Sequence, residues 1–380
     1  NKILNNLPKI NEVSKINNFD YLFNIAKENN FLKYINKYAI SYLDLKKIKN
    51  FVIARIEKSK ATTKLTSKPY RFIVDPTNTC NLGCPLCPTG LNASTRKKGI
   101  LKLEEFKKIV DEVKDYCIEI HLYNWGEPTL NKHLIEMIKY LKSKKIWSGI
   151  SSNLSIKYKE NYLEELVKSG LSLLHVDVDG LDQDVYEKYR RKGDFNTAVK
   201  NFKKISELKS KLQLKEPVLE LAMLAMRQNE HQHENFFDFA KELKAEEIKI
   251  DKIQHNPNMD EQWLPKNKNL IYKTYEGGKA DSHSAKEEEK KQCYWPWSGV
   301  VINWDGGINP CCIIDDPKAD FGNAKKQSIE TIWNSPEYIS SRSEFKDQKE
   351  ITKKTICNIC KNQTHSKRLS RVSKSFAIKL

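Results

Sequence analysis

Short β-rich runs alternate with helical segments beyond residue 70, and this alternation constrains the fold more than any other feature. The helical segments show apolar spacing, as in Phe106, Val110 and Val113. Because a helix separates each run from the next, the pattern predicts parallel βα units joined by right-handed crossovers. Six units favour an α/β fold with a partial (β/α)6 TIM-like barrel, and a doubly wound open sheet is the alternative. The predicted strands are 71–75, 118–123, 147–151, 173–178, 218–224 and 247–253.

The 380 residues divide into four predicted segments. Residues 1–66 are polar with helical periodicity, and we expect this N-terminal helical region to pack against the next domain. The barrel occupies 67–275, and a linker rich in Gly, Ser and charged residues covers 276–292. Residues 293–380 contain Trp, Cys, Pro and Gly but few long periodic segments, so this small domain is expected to need a metal centre for stability.

The chain carries a net charge of +17, from 66 basic and 49 acidic residues. Such an excess suits a nucleic-acid or phosphate partner. However, Lys is spread along the whole chain, and Arg, which reads bases better, occurs only nine times. The charge therefore indicates solvated surfaces rather than a nucleic-acid interface, although a zinc-containing nucleic-acid-binding protein remains the alternative from another functional class.

Nine cysteines, an odd number, occur in a chain that shows no secretion signal. No run approaches the ~18 apolar residues that a membrane-spanning helix needs. We therefore expect a cytoplasmic protein that does not bind membranes. Since disulfide frameworks belong to secreted domains, ligation of a metal or an iron–sulfur cluster is the default interpretation of the cysteines.

Three cysteines, Cys80, Cys84 and Cys87, lie within eight residues directly after the first predicted strand. Spacings of four and three residues let one short loop surround one inorganic centre. Three thiolates are one fewer than the four that hold an electron-transfer [4Fe–4S] cluster, so one iron would keep an open position for chemistry. A zinc site completed by a distant His is the alternative.

This C-x3-C-x2-C spacing resembles the signature of the radical S-adenosylmethionine (SAM) superfamily. The resemblance implies that Cys80, Cys84 and Cys87 hold a [4Fe–4S] cluster whose fourth iron is chelated by the amino and carboxylate groups of SAM. Gly126-Glu127-Pro128 resembles the Gly-Gly-Glu-Pro element that holds the methionine ammonium, with Trp125 in place of the usual first Gly.

Further polar residues match positions that contact SAM or substrate in this superfamily. The resemblance implies SAM-binding roles for Ser151 and Asn153 after the third strand, and for Arg190. Asp179, Arg190 and Tyr123 are the candidates for catalytic roles, and no acid or base is assigned. Independently of the resemblance, these elements follow the carboxyl ends of predicted parallel strands, where barrels of this kind carry their active sites.

A second group consists of Cys293, Cys311, Cys357 and Cys360. Twelve residues separate Cys293 from Gly306, four separate Gly306 from Cys311, and a C-x2-C pair follows. This order resembles the shortened SPASM domain, called Twitch, and implies one auxiliary [4Fe–4S] cluster with four protein ligands. A Zn(Cys)4 site is the alternative. The spacing favours Cys311 over its neighbour as the ligand, although an exchange of the two remains open.

The resemblance also implies a reaction. Superfamily members cleave SAM reductively, with electrons from a flavodoxin- or ferredoxin-type donor, and the resulting 5′-deoxyadenosyl radical removes a hydrogen atom from the substrate. An auxiliary cluster without an open iron suits electron transfer, so the net reaction would be a dehydrogenation. The layout resembles that of 2-deoxy-scyllo-inosamine dehydrogenase, which favours a carbohydrate- or aminocyclitol-like small molecule. The alternatives are peptide modification (thioether formation, epimerisation or crosslinking) and a redox-neutral dehydration.

Overall fold

Six parallel strands form the centre of the protein in a computed structural model that describes residues 7–254, 260–272, 293–346 and 353–360. Each strand pairs with its successor in the chain. The α/β fold with a partial (β/α)6 barrel is thus confirmed, and β2 is shorter than predicted. The strands are β1 (Arg71–Val74), β2 (Glu119–His121), β3 (Trp147–Ser152), β4 (Leu173–Asp177), β5 (Val218–Leu224) and β6 (Glu247–Asp251).

Helices connect the strands and cover the outside of the sheet. On the first connecting helix, the buried side chains Phe106, Ile109, Val110 and Val113 recur at helical spacing, which directs one face to the sheet. Asp182 and Asp194 cap their helices by accepting backbone N–H bonds. The helices up to β6 are α1 (Ile10–Lys15), α2 (Phe19–Glu28), α3 (Leu45–Ser59), α4 (Leu103–Val113), α5 (Leu134–Ser143), α6 (Tyr162–Lys168), α7 (Gln183–Tyr189), α8 (Phe195–Lys211) and α9 (His233–Glu242).

The N-terminal helices α1–α3 close one end of the barrel. Their apolar side chains form one cluster with Tyr70, Ile118 and Trp147, which lie at the starts of β1, β2 and β3. At the same end, Glu119 pairs with Arg71 inside the barrel. Burial alone would raise the pKa of Glu119, but the charge of Arg71 lowers it to about 2. Among the described residues, the N-terminal helices therefore cover the amino-terminal end of the barrel, and a site is expected at the carboxyl ends of the strands.

The C-terminal region extends the same sheet, a continuity that the sequence did not predict. Strand β9 (Gly299–Ile302) pairs in parallel with β1, β10 (Gly307–Asn309) pairs antiparallel with β9, and β11 (Gly322–Asn323) follows on β10. The remaining elements are β7 (Ile253–Gln254), β8 (Ile271–Tyr272), α10 (Trp295–Ser298), α11 (Ile329–Trp333), α12 (Pro336–Ser343) and α13 (Ile356–Ile359). The predicted linker 276–292 and the tail from 361 lie outside the described residues. In the described part of the chain, no helix combines the length and apolarity required to cross a bilayer.

Candidate active site

The loop after β1 brings Cys80, Cys84 and Cys87 together in a largely buried pocket. The Leu82 N–H lies 3.4 Å from Cys80 Sγ, and the Cys87 N–H donates to the Cys84 carbonyl at 3.2 Å. Burial raises the pKa of Cys84 to about 12, and the charges of Cys87 and Cys80 contribute to the rise. Because thiolates crowded into such a pocket need a positive partner, the three side chains suit a cationic iron centre.

Gly126 lies against the segment that leads into this cysteine loop. A Cβ atom at Gly126 would lie 1.9 Å from the Thr77 carbonyl oxygen and 2.7 Å from that of Thr79. The next residue, Glu127, donates its N–H to the Thr79 carbonyl at 2.8 Å. Any side chain at position 126 would therefore push the two loops apart, which explains why glycine is needed there.

Glu127 caps the short 3-10 helix Pro128–Leu130, and its carboxylate is almost completely buried. One oxygen accepts from Thr129 Oγ1 at 2.7 Å and Ser152 Oγ at 2.8 Å, and the other accepts from Asn153 N at 2.9 Å and Nδ2 at 2.8 Å. Burial raises the pKa of Glu127, and neutral donors only partly offset this effect. In the described ranges no cationic side chain pairs with this carboxylate, so it suits a positively charged ligand group.

Asn153 links Glu127 to the cysteine loop. Its Nδ2 donates to Asn81 Oδ1 at 3.0 Å, and Asn81 donates to the Ser155 carbonyl at 3.0 Å. The predicted residue Ser151 lies elsewhere, because its hydroxyl is 3.5 Å from Asp177 Oδ2 on the inner wall of the barrel. The neighbouring Ser152 contacts Glu127 instead, since successive strand residues point to opposite faces.

Arg190 and Asp179 form a buried ion pair on the same rim. Arg190 Nε donates to Asp179 Oδ2 at 2.5 Å, and its Nη2 lies 3.5 Å from Asp177 Oδ2. The other Asp179 oxygen accepts the Leu224 N–H at 2.7 Å. The positive charge of Arg190 is close enough to Cys84 to oppose the rise in the pKa of that thiol. Asp179 therefore positions Arg190 beside the cysteine loop, rather than standing as an unpaired base.

A row of charged side chains lines the inner wall below this rim, and sequence reasoning missed it. His175 Nε2 lies 3.1 Å from Asp177 Oδ1, and its Nδ1 bonds Glu220. Lys249 Nζ lies 3.1 Å from the same Glu220 oxygen. Burial would lower the pKa of His175, but the two carboxylates raise it to about 10. Charged residues at alternate positions of β4, β5 and β6 were the available signal.

The loop after β2 joins this rim to the C-terminal region. In the orientation that satisfies its neighbours, the Asn124 amide donates to the Cys312 carbonyl at 3.1 Å and accepts from Trp125 Nε1 at 2.8 Å. Tyr123 lies beside these residues, with its hydroxyl 3.3 Å from His121 Nδ1. Burial raises the pKa of Tyr123, and the nearby Cys312 adds to the rise. Tyr123 thus lies at the junction of the two regions.

The second cysteine group is built into an apolar core. Cys293, Cys311 and Cys357 belong to one buried cluster that contains several Trp side chains, and Cys360 is partly exposed. Cys311 and Cys357 both lie near Tyr338, Cys312 lies near Tyr123, and both Cys312 and Cys293 lie near Tyr294. The choice of Cys311 over Cys312 as a ligand stays a prediction from the spacing.

Two further sequence observations have structural explanations. Gly306 has a φ of +88° in the turn between β9 and β10, where its N–H donates to the Asn303 carbonyl at 2.8 Å. A left-handed conformation in this turn explains the glycine between Cys293 and Cys311. Cys117, which belongs to neither cysteine group, is fully buried just before β2, as a small apolar residue would be.

Comparisons with known proteins agree with this geometry. Residues 74–240 match the radical SAM superfamily, and residues 293–362 match the SPASM iron–sulfur cluster-binding domain. PqqA peptide cyclase from Bradyrhizobium diazoefficiens is 25% identical over 203 residues, which cover 53% of this chain and 50% of that protein. GTP 3′,8-cyclase from Desulforamulus reducens is 28% identical over 173 residues, covering 45% of this chain and 51% of that protein. The chain thus spans about half the length of these curated relatives.

The fold is shared with a solved structure as well. The crystal structure of SuiB from Streptococcus suis aligns with a TM-score of 0.60 at 15% identity, covering 92% of this chain and 89% of that chain. Residues 74–240 thus form a radical SAM domain, and a SPASM-type domain follows it in residues 293–362. These two domain classes imply that the cofactors of this chain are SAM, a [4Fe–4S] cluster and auxiliary iron–sulfur cluster binding by the SPASM-type domain.

Proposed function

We propose that this chain is a radical SAM oxidoreductase that acts on a polar small molecule of the carbohydrate or aminocyclitol class. Cys80, Cys84 and Cys87 would hold the SAM-binding cluster, and Cys293, Cys311, Cys357 and Cys360 would hold the auxiliary cluster. When bound and reduced, the first cluster with SAM supplies a radical that removes hydrogen from an unreactive C–H bond. The auxiliary site would then take up one electron, and loss of a proton would complete a dehydrogenation.

The rim residues supply the binding site for SAM in this proposal. The buried Glu127 carboxylate would face the methionine ammonium, because the described chain offers it no cation of its own. Gly126 and Pro128 keep the backbone close to the cysteine loop, and Asn153 holds Glu127 and that loop together. Ser151 and Arg190 lie toward the barrel interior, so we place them at the boundary between SAM and substrate.

The charged inner wall is the single observation that carries the substrate class. Carboxylates, an imidazolium and an ammonium line β4, β5 and β6, so a substrate there would meet donors and acceptors on every side. A polyol or aminocyclitol carries hydroxyl and amino groups around its ring and can bond both kinds of group. An apolar substrate would desolvate these ion pairs without offering them any hydrogen bond, which is costly.

Peptide modification is the second candidate, and the comparisons favour it. One curated relative is a PqqA peptide cyclase. The charged residues of the inner wall also suit a polar peptide segment, since the backbone amides and side-chain hydroxyls of a peptide can form hydrogen bonds with these charged groups. The two candidates differ in the size of the substrate rather than in the radical chemistry.

An anaerobic assay with reconstituted protein distinguishes these possibilities. Iron and sulfide analysis should give about eight irons per chain for two [4Fe–4S] clusters, whereas a zinc-containing nucleic-acid-binding protein would contain none. Transfer of deuterium into 5′-deoxyadenosine is then measured with C-deuterated aminocyclitols, sugars and precursor-type peptides. Label transfer and a two-electron-oxidised product from a cyclitol or sugar would support the proposal, and label transfer only from a peptide would replace it with the second candidate.

The proposal also includes a cellular setting. A low-potential flavodoxin or ferredoxin would deliver the electron to the first cluster, and a reducing cytoplasm would keep the cysteines available for ligation. Replacing a chemical reductant with reduced flavodoxin in the same assay tests the donor, and cell fractionation tests the location. Failure of both flavodoxin and ferredoxin to support SAM cleavage would contradict this part.

A further inference from the structure

We propose that the hydroxyl of Tyr338 donates a hydrogen bond to a sulfur atom of the auxiliary cluster and thereby raises its reduction potential. The inference rests on the proposed assignment of Cys311 and Cys357 as ligands of that cluster. It assigns a role in setting the reduction potential to a residue that lies outside the signature motifs.

The tyrosine is buried, and its hydroxyl has no hydrogen-bond partner in the described ranges. Tyr338 lies on α12 with no exposed surface, and its hydroxyl oxygen contacts no protein donor or acceptor among those residues. A buried hydroxyl normally finds a partner, because leaving it unpaired forfeits its hydrogen bonds to water. The hydroxyl of Tyr338 is therefore available to donate a hydrogen bond to a group held beside it, and its position near Cys311 and Cys357 distinguishes it from other buried tyrosine hydroxyls.

Neighbouring side chains hold the ring in place without satisfying the hydroxyl. Phe321 and Trp333 pack edge-on or tilted against the ring, with centroids 5.0 and 4.9 Å away. The guanidinium of Arg342 lies 5.2 Å from the ring centroid. Its nitrogens are committed to the carbonyls of Pro296 at 2.7 Å, Trp333 at 2.7 Å and Thr63 at 2.9 Å. The ring therefore has little freedom to turn its hydroxyl toward another protein group.

Two cysteines of the second group, Cys311 and Cys357, lie in the surroundings of Tyr338. Tyr338 belongs to the same buried cluster as Cys293, Cys311 and Cys357. Burial raises its pKa, and the charges of Cys357 and Cys311 raise it further, which places both residues in its surroundings.

Hydrogen bonds also fix the helix that carries Tyr338 relative to Cys357. Ser341 Oγ lies 3.0 Å from Thr355 Oγ1, and Ser340 Oγ donates to the Lys353 carbonyl at 2.6 Å. Helix α12 thus packs on the segment that begins α13, which contains Cys357. A cluster held by these cysteines would place its sulfur atoms within the region that Tyr338 borders.

A hydrogen bond to a cluster sulfur has a defined electrostatic effect. Reduction adds a negative charge to the cluster, and a donor stabilises the more negative state, so the potential rises. A higher potential makes the cluster a better acceptor of an electron from a substrate radical. Tyr338 would act through the cluster and touch neither SAM nor substrate.

The test uses the holoenzyme and Tyr338→Phe, which removes only the hydroxyl. The midpoint potential of the auxiliary cluster is measured by EPR-monitored redox titration, using the signal that SAM addition leaves unchanged. We expect a lower midpoint in the variant and an unaltered potential for the SAM-binding cluster. The control is Tyr70→Phe, because the Tyr70 hydroxyl is equally buried and unpartnered among the described residues but packs on Phe51 at 5.0 Å in the N-terminal helices. That substitution should leave both potentials unchanged.

Separate results overturn the inference and the assignment beneath it. An unchanged midpoint in Tyr338→Phe with about eight irons bound would overturn the role of the tyrosine alone. A wild-type protein with only about four irons would overturn the auxiliary cluster and the inference together. If Tyr338→Phe does not retain both clusters, ENDOR spectroscopy of the wild-type protein tests whether a hydrogen bond reaches the auxiliary cluster. An exchangeable proton strongly coupled to the auxiliary cluster supports the hydrogen bond, and its absence refutes it.

Discussion

The two cysteine groups of this chain use the same side chain in opposite surroundings. Cys80, Cys84 and Cys87 lie on one short loop at the rim of the barrel, close to the charges of Glu127 and Arg190. The second group spans residues 293–360, and its buried members lie among aromatic side chains. The first group therefore lies beside charged side chains, whereas the buried members of the second lie in an apolar core.

The difference follows from where the fold places each group. Carboxyl ends of parallel strands converge on a common edge, so a loop there is exposed to ligands and surrounded by polar groups. Cys311 instead follows an antiparallel hairpin, and Cys357 lies on a helix that packs on another helix. In the proposed function, the fold thus separates SAM cleavage from electron uptake, and substitutions in each region test that separation.

Changing Cys80, Cys84 and Cys87 together to Ala should abolish SAM cleavage. The loop would lose all its thiolates, but the barrel core lies below it and should remain folded. The measurement is anaerobic 5′-deoxyadenosine formation, with circular dichroism as the check on folding. The matched control is Cys117→Ala, which removes a buried thiol outside both groups and should leave cleavage intact. Undiminished cleavage in the triple variant would refute the assignment of the first pocket.

Changing Cys357 and Cys360 to Ala should separate SAM cleavage from product formation. The second site would lose half its proposed ligands, so iron should fall to about half, while the rim pocket stays intact. We expect some 5′-deoxyadenosine and no oxidised substrate. The control is Cys312→Ala, because Cys312 is adjacent to Cys311 but lies toward the barrel.

Full turnover in the double variant would show that the second site has no redox role, and would favour a redox-neutral reaction. A collapsed domain is a different outcome, in which activity would be lost through unfolding. Circular dichroism and retained SAM binding distinguish it, since the rim residues belong to the barrel. Loss of activity with both properties retained supports electron transfer through the second site.

The comparison also shows what the sequence could predict. The rim site could be predicted, because its cysteines lie close together in the chain and strand periodicity located the loops around them. The pairing of β9 with β1 could not be predicted, because the two strands are more than two hundred residues apart and no local pattern specifies such a partner. The distance along the chain between the paired strands, rather than a weak strand propensity, limited what the sequence could predict about the sheet.

A second limit concerns side chains within the strands. Ser152 bonds Glu127, whereas Ser151 lies on the opposite face of the strand near Asp177, and its predicted contact with SAM stays a prediction. The sequence did not reveal the charged wall of His175, Glu220 and Lys249, because these residues lie within the strands whereas the recognisable motifs lie at the strand ends.

Glu127→Ala should weaken SAM binding by roughly 10- to 100-fold, because hydrogen bonds to a charged group contribute about 1.5–3 kcal/mol. The measurement is SAM affinity by anaerobic equilibrium dialysis of the cluster-loaded protein. Since Glu127 also braces the loop, the control is Thr129→Val, which removes a neutral donor to the same oxygen. That variant should lose much less affinity. An equal loss in both variants would mean that Glu127 acts only as a brace.

Trp125→Phe should have the smallest effect and tests the contact between the two regions. Trp125 Nε1 bonds the Asn124 amide at 2.8 Å and lies 3.4 Å from the Ile314 carbonyl, which belongs to the loop after Cys311. Phe keeps the ring packing but removes this donor, at a cost of about 0.5–1.5 kcal/mol. We expect a fall in the melting temperature of the cluster-loaded protein of only a few degrees, about 2–4 °C per kcal/mol, with SAM cleavage unchanged. If cleavage persists but oxidation of the substrate falls in parallel with stability, the contact couples the rim to the second cysteine group. If Tm and both activities are unchanged, other contacts between the two regions, such as the pairing of β1 with β9 and the Arg96–Asp320 ion pair, suffice without the Trp125 donor.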